Sequence, residues 1–224
     1  MAAGGDSSPG AREALETLCH TYWYPLYAYT RRRGFAAQDA EDLVQAFFGR
    51  LIQKEILHDI QREGGRFRGF LLACFNHFLS DEQDAARRLK RGGDRQILSL
   101  DAELAEGRYG LEPVDRAGPE RVFERRWALT VLETVLTRLK DELAKEGKGQ
   151  LFEHLQALVV GEPDAPKQAE VASWLGLSKG AVAVTVHRLR QRYRQLVREE
   201  VAQTVARFED VDDEIDHLVA ALRG

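Results

Sequence analysis

The sequence predicts an all-α protein: two helical bundles joined by a linker, the second containing a helix-turn-helix. Three observations predict it. Apolar residues recur at three- and four-residue spacing through most of the 224 residues, the period of a helix with one buried face. No stretch alternates apolar and polar residues as a half-buried strand does. One segment, 94–121, loses all periodicity and collects Gly107, Gly110, Pro113, Gly118 and Pro119, the composition of a connection between bundles, with room for one short helical turn. The implied division is a first bundle over 1–93, a linker over 94–121, a second bundle over 122–198 and an acidic extension over 199–224.

Residues 1–10 are small and polar and are expected to fray. From Arg12 to Arg33 an apolar side runs through Leu15, Leu18, Cys19, Tyr22, Trp23, Leu26, Tyr27 and Tyr29. Pro25 should kink or split this helix, because it lacks an N–H and its ring crowds the preceding turn. Arg31, Arg32 and Arg33 suit the negative end of the helix dipole, and Gly34 ends it. The next helix spans Asp39 to Ile52. Leu43, Val44, Phe47, Phe48, Leu51 and Ile52 cover half its circumference, and Glu41, Asp42, Gln45 and Gly49 lie on the other half. On spacing alone, an acidic first turn and a solvated face are favoured over an acidic docking surface.

Gly64 and Gly65 make a break, and a long helix follows from Arg66 to Arg91. Phe67, Phe70, Leu71, Cys74 and Phe78 share one side. Asn76, His77, Ser80 and Asp81 are polar positions on the same rod, and Arg87, Arg88, Lys90 and Arg91 close it. Aromatics beside such a cluster stack on unpaired bases in some proteins, but taken singly each is expected in the core. After the linker, Phe123 to Leu143 is helical through Trp127, Val131, Val135 and Leu139. Leu151, Phe152, Leu155, Leu158 and Val159 form a shorter amphipathic helix.

Gln168 to Arg198 reads as a helix, a tight turn and a second helix. Val171, Ala172 and Leu175 give the first an apolar side. Gly176 permits the turn, and Ser178 stands where an N-cap is wanted. Val182, Val186, Leu189, Tyr193 and Leu196 then fall on one side. The opposite arc holds Gly180, Ala183, Val184, His187, Arg188, Gln191 and Arg194. Small residues near the helix start let a backbone approach the major groove, and arginines reach phosphates and guanine edges.

Net charge is −4, which argues against a nucleic-acid partner until its distribution is considered. Residues 199–224 hold eight acidic residues against Arg207 and Arg223, leaving the rest at +2 with basic clusters at Arg87–Arg95 and Lys179–Arg198. No run of about eighteen apolar residues exists, so no transmembrane span is expected. The N-terminus lacks the basic and apolar regions of a signal peptide, which points to the cytoplasm. Cys19 and Cys74 lie in separate apolar patterns and are expected as buried small hydrophobes. No Cys/His cluster has metal-ligand spacing, and neither a nucleophile–base pair nor a phosphate-cradling glycine loop is found. Neither cofactor nor enzymatic activity is expected.

Taken in order, these segments resemble a bacterial RNA polymerase sigma factor of the short, extracytoplasmic-function type. Asp39-Ala40-Glu41-Asp42-Leu43-Val44-Gln45 is similar to that family's polymerase-docking helix. Phe67-Arg68-Gly69-Phe70-Leu71, followed by Asp81, Arg87 and Arg88, is similar to its minus-ten promoter helix. Gln168 to Arg194 is similar to its minus-thirty-five reader. The resemblance implies core RNA polymerase and promoter DNA as partners, the polymerase through the coiled coil of its largest subunit and its flap region. It reverses the reading of the acidic helix, making Asp39, Glu41, Asp42, Gln45 and Phe48 polymerase-binding. It assigns Arg66, Asn76, His77, Asp81, Arg87, Arg88, Lys90 and Arg91 to minus-ten recognition and melting. It assigns Ser178, Lys179, Gly180, Ala183, Val184, His187, Arg188, Gln191 and Arg194 to the upstream element. An anti-sigma factor or a regulatory kinase is a candidate further partner, and no membrane is.

The chain departs from the family pattern at His77, where asparagine is usual, and at Ala183 and Thr185, where basic residues are common. The long linker and the acidic extension also exceed the minimal plan. Spacing does not say what the extension does; one hypothesis is that its charge and the apolar stripe of Val211, Ile215, Leu218 and Leu222 let it fold over the basic helix and mask it. The alternative function is a stand-alone helix-turn-helix regulator whose N-terminal bundle senses a ligand or dimerises.

Overall fold

A computed structural model describes residues 9–53, 66–88, 101–110 and 118–223. Every regular element among the described residues is helical: α1 Pro9–Arg32, α2 Ala37–Gln53, α3 Phe67–Arg88, α4 Asp101–Gly110, α5 Pro119–Lys145, α6 Gly149–Val160, α7 Gln168–Leu175, α8 Lys179–Ala202, a 3-10 turn at Phe208–Asp210, and α9 Val211–Arg223. An isolated antiparallel bridge joins Arg66 and Val205. The all-α expectation is met. Residues 1–8, the Gly64–Gly65 break, Lys90 and Arg91 lie outside the described residues, as do the side chains of Arg87 and Arg88. No helix among the described residues is long and apolar enough to cross a membrane.

The chain divides into two compact units, residues 1–130 with 204–224, and residues 131–203. In the first, α1 remains one helix through Pro25. The missing N–H removes one bond from the ladder. Packing outweighs that loss, because Tyr22, Tyr24, Leu26, Tyr27, Ala28 and Tyr29 are all buried around it. Each buried aromatic or aliphatic side chain contributes about 1.5–3 kcal/mol. Gly34, at φ +92°, turns the chain into α2. The centre of the unit is aromatic. Phe47 of α2 meets Phe75 and Phe78 of α3 at 5.0 and 5.6 Å between ring centroids. Tyr29 sets its edge against Phe75 and against Phe123 of α5.

The buried line on α3 is Arg68, Leu71, Phe75, Phe78 and Leu79, while Phe67, Phe70 and Cys74 are only half-buried. The helix is therefore rotated from the arc its most apolar residues suggest. An arginine takes a core position, for which the sequence pattern gave no place. Cys19 and Cys74 are free thiols at intermediate burial, so the expectation of full burial is corrected; partial burial still pushes both thiols up.

Within 94–121 the short turn is a ten-residue helix, α4, packed against α1 and α2. Its Glu106 makes a bidentate pair with Arg31 and accepts a hydrogen bond from Tyr27 Oη at 2.6 Å. The guanidiniums of Arg108 and Arg31 lie over the rings of Tyr24 and Tyr109. Glu106 is held below the ordinary carboxylate range, chiefly by Arg31 and then by Tyr27, with burial opposing.

In the second unit the core is a row of aliphatic residues: Val131, Val135 and Leu139 from α5, Leu155 and Val159 beside Phe152 from α6, Val171 from α7, and Val182, Val186, Leu189, Leu196 and Val201 from α8. Arg192 of α8 bonds Glu142 of α5 at 2.7 and 2.8 Å and Glu199 at 3.3 Å. Arg138 joins Glu199 at 2.7 Å.

Candidate functional site

The acidic helix comes first. Among the described residues α2 packs against α1, α3 and α4, so more of its circumference is covered than one stripe. Ala40, Glu41, Val44, Phe47, Phe48 and Leu51 are buried. Glu41 is only 1 % exposed, and its carboxylate accepts a hydrogen bond from Gln45 Nε2 at 3.1 Å. The solvated position that spacing assigned to Glu41 is therefore corrected. Phe48 is likewise a core side chain. Asp39 is exposed, and Asp42 and Gln45 are half-exposed, so the negative charge that this helix presents outward is carried by Asp39 and Asp42, while the exposed Arg50 near its end pairs with Glu82.

On α3, His77 and Asp81 are exposed one turn apart. Asn76 is half-buried, and its Oδ1 accepts from Tyr29 Oη at 2.7 Å and Arg33 Nη1 at 2.8 Å, so this oxygen is engaged within the unit. The start of α3 holds a group of charges of which the sequence pattern singled out only Arg66. Arg68 is 4 % exposed. It bonds Glu124 of α5 at 2.5 Å and Glu214 of α9, and its guanidinium lies 4.6 Å above the Trp127 ring centroid. Glu214 is fully buried, and its second oxygen lies 3.1 Å from Nε of Arg66, without the geometry of a hydrogen bond. Burial alone pushes the Arg68 guanidinium down, but the pairs with Glu214 and Glu124 outweigh it and the net shift is upward. Tyr22, buried beside this group, is pushed up by burial and then by Glu214.

One signal for this group existed. Arg68, Leu71 and Phe75 form one line, and Val211, Glu214 and Leu218 another. Each is an apolar stripe interrupted by one charge, of opposite sign. The apolar stripe of the extension is spent here: Val211 and Leu218 are buried in the first unit. The sequence pattern offered the same stripe to the basic helix of residues 179–198.

The second unit carries α7, the residues Gly176, Leu177 and Ser178, and α8. Gly176 has φ +63°, a conformation that a side chain disfavours. The Ser178 hydroxyl accepts from the Ala181 N–H at 3.1 Å, as an N-cap does. The faces of α8 separate as the spacing predicts. Val182, Val186, Leu189 and Leu196 are buried, Tyr193 is half-buried, and Lys179, Gly180, Val184, His187, Arg188, Gln191 and Arg194 are exposed, with Ala183 between. The arginines divide by use. Arg190 donates to the Leu158 carbonyl at 2.7 Å and Arg192 is spent on Glu142 and Glu199. Arg188 and Arg194 make no ion pair among the described residues. Val184 is 52 % exposed on the same arc, and Trp174 of α7 is 60 % exposed, its ring 6.3 Å from His154. An exposed apolar side chain one turn before Arg188 suits a groove that offers both methyl groups and phosphates.

Among the described residues no group of three His, Cys, Asp or Glu is placed to hold a metal ion. A family model described as ECF sigma factor matches residues 8–203. Comparison with curated proteins and with solved structures gives no match.

Proposed function

This chain belongs to the ECF sigma factor family, and from that premise we propose how its surfaces divide the work of transcription initiation. Core RNA polymerase docks on the outward charge of α2, with Asp39 and Asp42 as the groups that meet a basic partner. The exposed face of α3, with His77 and Asp81 and the basic end that follows, takes the minus-ten element and holds its melted strand. Unstacking a base costs a few kcal/mol, which contacts to that base and its backbone must return. The turn at Gly176–Ser178 and the exposed arc of α8 act as a helix-turn-helix in the major groove of the minus-thirty-five element. There Arg188 and Arg194 take phosphates or guanine edges and Val184 a thymine methyl. The protein works beside its polymerase and performs no covalent chemistry of its own.

The observation that carries this reading is the extent of the family match, which runs continuously through α2, α3, α7 and α8. The separation of α8 into a buried aliphatic face and an exposed basic arc supports it from physical grounds. The polymerase contact is tested by reversing the two outward charges, Asp39→Lys with Asp42→Lys, and measuring affinity for bacterial core polymerase by fluorescence anisotropy. Exposed ion pairs contribute up to about 1 kcal/mol each, and reversal adds repulsion, so affinity should fall at least tenfold. Undiminished affinity in a folded double variant contradicts the docking assignment.

A further inference from the structure

The start of α3 is occupied from outside the family match. Residues 204–224 follow the matched segment, yet they take the donors at this helix start one after another. The Phe67 N–H donates to the Thr204 carbonyl at 3.3 Å, and Arg66 bridges Val205. The carboxylate of Glu214 then receives both guanidiniums, Arg68 on one oxygen and Arg66 at 3.1 Å on the other. Two guanidiniums converging on one anion is the geometry of phosphate recognition, and a helix N-terminus favours negative charge further. Arg66 is 36 % exposed, whereas Arg68 and Glu214 are sealed beneath α9. The seat of α9 rests on the buried Val211 and Leu218.

We propose that Arg66 and Arg68 form a receptor for a backbone phosphate of single-stranded DNA, and that Glu214 fills it as a built-in competitor. The inference rests on the sigma-factor reading for the identity of the anion. α9 is then a plug. While it is seated, Arg68 is closed off and Arg66 is partly neutralised. When it lifts, Arg68 keeps Glu124 as a counter-charge, and Arg66 becomes an unpaired cation at the head of the promoter helix. The looser hold on Arg66, at ion-pair distance without hydrogen-bond alignment, makes it the first of the two to exchange carboxylate for phosphate.

The test uses the full chain and a fluorescein-labelled single-stranded DNA 20-mer of mixed sequence, titrated by anisotropy at several salt concentrations. Glu214→Gln keeps the shape of the side chain and removes its charge. Removing a charged competitor should tighten binding about tenfold, and the salt dependence should steepen by about 0.7 in log–log slope, one extra phosphate on a single strand. Arg66→Gln added to Glu214→Gln should abolish the gain. Unchanged or weaker binding by a folded Glu214→Gln overturns the proposal. So does an equal gain with and without Arg66, which assigns the effect to net charge alone. If Glu214→Gln fails to fold by circular dichroism, Leu218→Ala loosens the seat of α9 with every charge intact. It should raise affinity in the same direction, and no rise overturns the proposal. Runoff transcription by the wild-type chain with core polymerase separates the two readings. Tighter binding by Glu214→Gln without any runoff rejects the sigma role and leaves the anion receptor standing.

Discussion

Arg68 shows how one residue decides more than its neighbours do. It is buried, stacked on Trp127 and shared between Glu124 and Glu214. Replacing it with Leu fills the space but leaves Glu214 as a carboxylate with no exposed surface and, among the described residues, Arg66 as its remaining ion-pair partner. Breaking a buried pair on one side costs about 3–5 kcal/mol, so Arg68→Leu should lower the free energy of urea unfolding by that amount. A loss below about 1 kcal/mol would mean that the charges are solvated after all. Glu106 gives the contrasting case, a pair near the surface. Its pKa is depressed, so its contribution is present in full above the ordinary glutamate value and is lost as pH falls through the depressed one. The melting temperature of Glu106→Gln should therefore lie below wild type at neutral pH and converge with it in acid. A gap that persists in acid strong enough to protonate the carboxylate would contradict the pairing with Arg31 as its source.

Among the elements, α8 was the most legible in the sequence and α4 the least, while α2 was found as a helix but wrongly faced at one position. Local chemistry at Gly176 and Ser178 fixes where α8 starts, and a single buried face fixes its rotation, so spacing placed Val182 and Arg188 on opposite sides. For α2 the same logic misplaced Glu41, because α1, α3 and α4 all pack on the helix and periodicity does not report how many neighbours there are. The helix α4 was hidden for another reason. Gly107 and Gly110 weaken any helix, and its anchor is Glu106 to Arg31, a contact 75 residues away in the chain. The pairing of Arg68 with Glu214 spans 146 residues and left only two interrupted stripes as its trace. Two predictions belong at this scale. Gly176→Ala places a side chain at φ +63° and should cost about 1–2 kcal/mol, read as a lower midpoint in urea. Arg188→Ala and Arg194→Ala should leave that midpoint unchanged. Each should reduce the salt slope of duplex binding, assayed with the polymerase holoenzyme, by about one phosphate's worth.

For the molecule as a whole, charge distribution outweighs net charge. A chain at −4 presents Asp39 and Asp42 on one helix and, on another, arginines that make no ion pair among the described residues, and it buries part of its acidic extension against α3. With a net charge of −4, the chain as a whole does not attract DNA at long range, so binding rests on where its cations are placed. The most direct measurement is reconstituted transcription: bacterial core polymerase, a library of promoter fragments, and runoff products counted with and without this protein. Discrete transcripts that appear only when it is present, and that share upstream and minus-ten sequences, are the expected result. A transcript pattern identical with and without it, at concentrations that saturate core, would contradict the account.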